Sequence, residues 1–321
     1  MLNNIITAMI FLGISSTAVV AAQDDQKGPP LATAYAAERI TDDIYGIHGP
    51  VADPGVDNQG FMNNPAFVLT DAGVVVVDPG SSVQTGEMVV SKIREITQQP
   101  VVAAFSSHIH GDHWLGNQAI REAWPDARLY AHPNLISGVQ AGEGDAWVDL
   151  MLRVTEGATR GTRVVAAETP VKDGDRITIG NKTFAIHHTG KAHTTSDIMI
   201  EVIEDDVLFL GDNAMNQRLG RMDDGNFKGL MTALNKAIEL DSRHYVPGHG
   251  PSGGREVPEM FLRLITTLFE AVEKEYQNDL ADYEMKPVIV EQLGPWKEWQ
   301  GFEHVGKFIS LAYIEVEQEA F

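Results

Sequence analysis

Apolar and polar positions divide the chain into two stretches of similar pattern. In the first, residues 73–77 form an unbroken β-branched run ending at Asp78, which reads as a strand buried on both faces. The turn residues Asp71 and Ala72 join it to a strand over 65–70, and 43–49 forms another. Met88, Val89, Ile93 and Ile96 recur at helical spacing over 84–97, and 101–106 is again an apolar strand. Strand, helix and strand make a β-α-β unit. A short helix is expected over 115–122 and a strand over 128–131. The segment from there to Ala167 is rich in glycine and small residues, with Trp147, Met151 and Leu152 on one helix; it either lines a site mouth or packs in the core.

The second stretch repeats this logic. Strands over 176–179 and 182–188 flank the turn pair Gly180-Asn181, and the apolar strand 206–212 ends in a carboxylate, as 73–78 does. Leu230, Leu234, Ala237 and Ile238 mark a helix over 229–240, and residues 245–251 set His249 between two glycines at another strand end. A helix over 256–277 has Met260, Leu264, Leu268 and Ala271 on one face. Trp296, Trp299 and Phe302 then either pack on the body or serve a dimer contact. With no linker or low-complexity break, residues 35–321 are expected to form a single α/β domain.

The first 22 residues have no charged side chain and an apolar core ending in Val20-Ala21-Ala22. They read as a secretory signal peptide, so the mature protein is expected to be periplasmic or secreted, with no stable membrane span after cleavage. Residues 23–34, with Gly28-Pro29-Pro30, read as a flexible leader outside the core. The 45 acidic and 24 basic residues give a formal net charge of −21, a field that repels phosphate backbones and argues against nucleic-acid binding. The absence of cysteine removes thiolates as ligands or nucleophiles.

The chemistry concentrates at Ser106-Ser107-His108-Ile109-His110-Gly111-Asp112-His113, which holds three of the chain's 11 histidines. The cluster follows an apolar strand, where open α/β sheets place their sites. On a turning loop His108 and His110 project to one side and can hold one cation, leaving Asp112 and His113 for a second. The spacing therefore suggests two metals. Asp78 at the neighbouring strand end either orients a metal-bound histidine or simply forms a turn before Pro79.

Taken in order, the H-x-H-x-D-H run, His193, Asp212 and the G-H-G turn at His249 resemble the metallo-β-lactamase superfamily of metallohydrolases. The resemblance spans about residues 43–251 and implies a four-layer αββα sandwich with its site at one edge. It also implies that His108, His110 and His193 hold a first metal, that Asp112, His113 and His249 hold a second, and that Asp212 bridges both. Imidazole and carboxylate donors suit two zinc ions per chain; iron or manganese also suits a site without thiolates. The implied reaction is attack on a carbonyl carbon by a metal-bridging hydroxide, with Asp112 as the catalytic carboxylate that orients it.

The substrate expected is a small molecule. Asp212 stands where the B1 β-lactamases carry cysteine and matches glyoxalase II, lactonases and exported quinoprotein-associated hydrolases. The favoured reading is a broad-specificity exported hydrolase able to open a β-lactam. The alternatives are a lactonase or a glyoxalase II-like thioesterase, a mononuclear iron persulfide dioxygenase, or a noncatalytic zinc-binding protein. Flavodiiron reductases are set aside because they use glutamate where His110 stands. Arg218 and Arg221 either clamp a substrate carboxylate or are solvated loop charges. Phe61, in the long stretch 51–64, either covers an apolar substrate or tucks into the core. Thr194 and Asp197 are placed as supporting partners of His193, and the sequence leaves the oligomeric state open.

Overall fold

The computed structural model describes residues 27–320; the expected signal peptide, residues 1–22, and the first four residues of the expected leader lie outside them. The strands form two sheets. In chain order the first half comprises β1 (Glu38–Arg39), β2 (Ile44–Gly46), β3 (Ala66–Thr70), β4 (Gly73–Val77), α1 (Val83–Ile96), β5 (Val101–Ser106), α2 (Gly111–Trp114), α3 (Asn117–Ala123), β6 (Arg128–Ala131), α4 (Pro133–Gln140), α5 (Glu143–Val154) and β7 (Thr169–Pro170). The second half comprises β8 (Arg176–Ile179), β9 (Lys182–His187), β10 (Met199–Val202), β11 (Val207–Met215), α6 (Phe227–Glu239), β12 (His244–His249), α7 (Glu256–Gln277), α8 (Asp282–Gln292) and α9 (Val305–Glu319). Strands β1 to β7 lie in sequence order in one sheet; the other runs β12-β11-β10-β9-β8.

Three apolar layers hold four layers of structure together. Phe105, Phe184, Ile186 and Phe209 fill the space between the sheets, where Phe105 stacks on Tyr130 at 4.8 Å and on Phe184 at 5.4 Å. Val89, Ile93, Leu115 and Ile120 pack the helices of the first half on the outer face of the larger sheet. Leu230, Leu234, Leu264 and Leu268 do the same for α6 and α7 on the smaller one. The result is the αββα sandwich. The β-branched run of β4 is buried at every position, as an interior parallel strand requires.

Parallel pairing positions the site. Strand β4 pairs parallel with β5, and β11 pairs parallel with β12. Each pair therefore delivers two carboxyl-terminal ends to one edge of the sandwich. The two sheets are joined there by Ile198 N–H donating to Ser107 O at 2.8 Å and Ile109 N–H donating to Ser196 Oγ at 3.0 Å.

One expectation is corrected and two alternatives are resolved. Residues 27–34 are not a leader free of the body: Gly28 N–H donates to Arg160 O at 2.8 Å, the Gln59 side chain bonds Pro30 O at 3.2 Å and the Ala32 N–H, and Leu31 packs on the core. Prolines confer no flexibility where the next residues find an apolar seat. Phe61 is fully buried and meets the edge of Tyr35 at 4.6 Å, so it belongs to the core and not to a substrate flap. The tail packs on the body, with Trp296 buried among Leu293, Phe308 and Ile309. Glu315 of α9 also caps α6, accepting from Phe227 N at 2.7 Å and Lys228 N at 3.1 Å. No helix among the described residues is long and apolar enough to cross a membrane.

Phe184 is fully buried between the sheets. Phe184→Ala is expected to lower unfolding stability by about 3–5 kcal/mol, measured by urea denaturation. A loss below about 1 kcal/mol would show that the layer collapses around the cavity.

Candidate metal centre

Seven donor residues converge at the edge reached by the parallel strands. His108 and His110 lie on the turn after β5, and Asp112 and His113 lie in α2. His193 comes from the loop between β9 and β10, Asp212 from within β11, and His249 ends β12. All are buried, none more than 4% exposed.

They form two sets, His108, His110, His193 and Asp212 in one, Asp112, His113 and His249 in the other. In the first, His193 Nε2 lies 3.0 Å from His110 Nδ1. In the second, His113 Nε2 lies 3.3 Å from His249 Nε2, and Asp112 Oδ2 lies 3.4 Å and 3.2 Å from those two nitrogens. Asp212 spans them. Its Oδ2 is 3.3 Å from His193 Nε2 and 3.8 Å from His108 Nε2, while its Oδ1 is 3.1 Å from His113 Nε2 and 3.4 Å from His249 Nε2. The geometry thus reproduces the grouping that the resemblance implies, with one oxygen of Asp212 turned to each set.

The donor set fits a pair of cations. His108 Nε2 and Asp212 Oδ1 are buried without a hydrogen-bond partner, a state native interiors rarely tolerate. Burial holds the His108 imidazole well below its ordinary value, with His113 adding to the effect, and holds His193 at about 3. Burial would raise Asp112 and Asp212, but the facing histidines hold both well below the usual carboxylate range. Burial opposes charge on His113 and His249 as well, and there Asp212 with the other carboxylates wins and raises both. Cations would meet unprotonated His108 and His193 in one set and carboxylate-held protons on His113 and His249 in the other.

Outer partners fix the rings. Asp78 Oδ2 lies 2.8 Å from His113 Nδ1 and accepts from Ser107 Oγ at 2.7 Å; that hydroxyl lies 3.0 Å from His108 Nδ1. A single carboxylate therefore orients one histidine of each set, directly and through Ser107. Its backbone sits at φ +50°, the left-handed region, a cost tolerated where surroundings dictate geometry. His249 Nδ1 lies 2.9 Å from Met62 O, and Asn64 Nδ2 donates to Pro247 O at 2.9 Å and Gly250 O at 2.6 Å. The glycines around His249 are required: a Cβ on Gly248 would lie 1.9 Å from Asp212 Oδ1, and Gly250 has φ +81°.

Asp224 Oδ2 lies 3.1 Å from His110 Nε2 and so orients that ring; nothing in its loop's composition announces it. Thr194 and Asp197, expected as partners of His193, do not bond its ring. Instead Thr194 donates to Asp197 through N at 2.6 Å and Oγ1 at 2.7 Å, folding the loop on itself, and His193 Nδ1 has no partner. Their role is to shape the turn that carries His193.

A cleft of about 110 Å³ opens onto these donors, with Met62, Trp147, Leu150 and Met215 as apolar walls and Arg218 and Arg221 among its polar groups. Trp147 lies 5.1 Å from the His110 ring, placing α5 at the site mouth. Arg218 is 5% exposed and is no solvated loop charge, whereas Arg221 is half exposed, pairs with Asp223 at 3.4 Å and lies over Trp147. Larger grooves, about 460 and 500 Å³, are lined by none of the donors; chemistry and not size locates the site.

Removing the Asp78 carboxylate should weaken metal binding about 10- to 100-fold. Asp78→Asn tested by competition with a chelator is expected to affect both sets, and an effect on one alone would refute the shared role of Asp78. In the metal-free protein His113 and His249 are raised while His108 and His193 are lowered. An ion entering the second set must displace protons, so its affinity is expected to rise with pH from below to above the ordinary histidine value. His108 and His193 of the first set are already neutral there, so entry of an ion into that set is expected to release fewer protons. Calorimetry in buffers of different ionisation enthalpy reads the protons released; equal release at both steps would contradict the assignment.

The profile of the metallo-beta-lactamase superfamily matches residues 59–249. A probable metallo-hydrolase of Streptococcus pyogenes serotype M6 is 26% identical over 59% of this chain and 79% of its own length. A hydroxyacylglutathione hydrolase of Parasynechococcus marenigrum is 26% identical over 51% of this chain but only 56% of its own length. Among solved structures, a metallo-beta-lactamase from Pontibacter korlensis superposes with a TM-score of 0.58 at 18% identity, over 72% of this chain and 99% of that one. One from Hirschia baltica gives 0.53 at 22% identity, over 73% and 98%. These two likenesses establish the fold alone. The matched profile covers more than half the chain and takes in every one of the donors assembled above, and on that ground the protein belongs to the metallo-β-lactamase superfamily.

Proposed function

We propose that the protein is an exported dinuclear zinc hydrolase that opens a small carbonyl substrate, a β-lactam before other cyclic amides and esters. The observation that carries this reading is Asp212, whose two oxygens face two complete donor sets. A mononuclear persulfide dioxygenase would need only one set, and a noncatalytic zinc protein would need no cleft open to solvent beside the donors.

Zinc held by these residues would supply a Lewis acid for the carbonyl oxygen and water ionisable near neutral pH. The chain's own groups do the rest. Asp112, ionised and beside both His113 and His249, accepts a hydrogen bond from the attacking water and orients it toward the carbonyl carbon. Trp147, Leu150 and Met62 hold the apolar part of the substrate and exclude bulk water from one side. Water adds its oxygen to the carbonyl carbon, the bond from that carbon to the ring nitrogen breaks, and the nitrogen takes up a proton. The small cleft admits only the reacting end of such a molecule, which fits broad specificity, because the remainder projects beyond it.

Asp212 also favours a second reading, a glyoxalase II-like thioesterase, since a carboxylate and not a cysteine stands at that position. The matches to hydroxyacylglutathione hydrolases support it. The test places a chromogenic β-lactam, a homoserine lactone and a glutathione thioester beside one another with the zinc-loaded protein, each repeated after chelation. Chelator-sensitive opening of the β-lactam is expected. Turnover of the thioester alone selects the second reading, and no turnover of any of the three sinks the hydrolase reading.

A further inference from the structure

Apart from the seven donors, a serine, a histidine and a glutamate meet at a cavity of about 240 Å³, with Val51 and Pro251 among its walls. None of the metal donors lines it. His48 Nε2 lies 2.8 Å from Ser252 Oγ, and His48 Nδ1 lies 3.3 Å from Glu38 Oε2. Glu38 belongs to β1, which pairs antiparallel with β2 through Glu38 and Gly46, and His48 follows β2 by two residues. Ser252 sits on the turn after β12, closed by Tyr245 N–H donating to Gly253 O at 2.8 Å and Gly253 N–H donating to Tyr245 O at 3.1 Å. The hydroxyl is thereby held on a pinned turn at the cavity wall.

The hydrogen bonds fix the tautomer of His48. Ser252 N–H donates to His48 Nε2 at 3.3 Å, and an amide can only donate, so Nε2 presents its lone pair. The neutral ring then carries its proton on Nδ1, toward the Glu38 carboxylate. Ser252 Oγ–H donates to the same Nε2 lone pair at 2.8 Å. In this arrangement a histidine can draw a proton from a hydroxyl, with a carboxylate behind the ring to favour the charge that forms. A clasp that merely joined two loops would need no cavity at the hydroxyl.

We propose that Ser252, His48 and Glu38 form a second, metal-independent active site that hydrolyses esters of short carboxylic acids. Ser252 Oγ adds to the carbonyl carbon while its proton passes to His48 Nε2. The bond from that carbon to the alcohol oxygen breaks, and the alcohol leaves with the proton from Nε2. Water then adds its oxygen to the acyl carbon and gives a proton to Nε2, and the acid leaves as Ser252 Oγ takes that proton back. Protonation of Nε2 removes the acceptor of Ser252 N–H, which frees it to donate to the oxygen that gains negative charge. Glu38 touches the ring and not the ester; it is a positioning residue, 64% exposed, and its share is the smallest. The small cavity selects short acyl groups. The site shares no residue with the metal-dependent reaction and stands or falls apart from it.

The test is labelling of the full chain by a fluorophosphonate, which loses fluoride to an activated serine, followed by peptide mass spectrometry on zinc-loaded and chelated protein. Ser252 is expected to carry the label in both, with a rate about a hundredfold lower in His48→Ala. The chelated protein should also hydrolyse p-nitrophenyl acetate with a stoichiometric burst of nitrophenolate, lost in Ser252→Ala. Glu38→Gln should lower kcat for that ester severalfold and leave KM unchanged. Circular dichroism verifies folding; if a variant does not fold, labelling of the wild-type chain decides. No label on Ser252, labelling indifferent to His48→Ala, or ester turnover that vanishes on chelation overturns the proposal.

Discussion

Bringing seven ionisable side chains together out of water is the constraint on which the rest of the structure depends. Removing such groups from solvent is unfavourable unless charge and hydrogen bonding compensate. Here compensation is partial within the protein: carboxylates face imidazoles, yet His108 Nε2 and Asp212 Oδ1 lack partners. The apolar layers must therefore supply the stability that holds the donors in place. That explains why the most completely buried strands, β4 and β11, are those that end at or pass through the site.

Precision comes from backbone as much as from side chains. Strand β11 carries Asp212 and strand β12 ends in His249, and their parallel pairing runs through a register shift between Gly211 and Met215. The chain bends there, and Gly248 is bare because any side chain would strike the bridging carboxylate. On the other sheet Asp78 accepts a left-handed conformation so that one carboxylate can reach both Ser107 and His113. Residues 62–64 tie the halves together: Met62 O meets His249, Asn63 donates to Asp78 O at 3.1 Å, and Asn64 clasps the turn around His249. A metal centre assembled from two sheets needs such ties, since displacement of a ligand by a fraction of an ångström changes affinity.

What was legible in the sequence follows from how local each signal is. The β-branched run of β4, the helix over 256–277 and the ligand types at 108–113 are local patterns, and the structure contains each of them where the pattern places it. The pairing of donors into sets was legible in part, because alternation along a turning loop separates His108 and His110 from Asp112 and His113. Phe61 and residues 27–34 were not: whether a loop aromatic or a proline-containing segment finds an apolar seat depends on surfaces distant in sequence. Met62 acts through its carbonyl, which every residue has, and Asp224 sits in a loop without periodicity. Thr194 and Asp197 were placed in the right loop with the wrong partner, because short polar side chains bond their own backbone more readily than a neighbouring ring.

The acidic balance of the chain bears on the cleft only when distance is considered. A net charge of −21 opposes the approach of any anion, but over more than about 8–10 Å physiological salt screens exposed charges from one another. Inside the cleft the ordering reverses, because a buried guanidinium is screened far less than the surface carboxylates around it. Arg218, 5% exposed and beside His249, therefore weighs more on a bound molecule than the many surface carboxylates do. Selectivity at this site is thus a property of a few desolvated groups, and the global charge governs how fast anionic molecules arrive and not whether they are held.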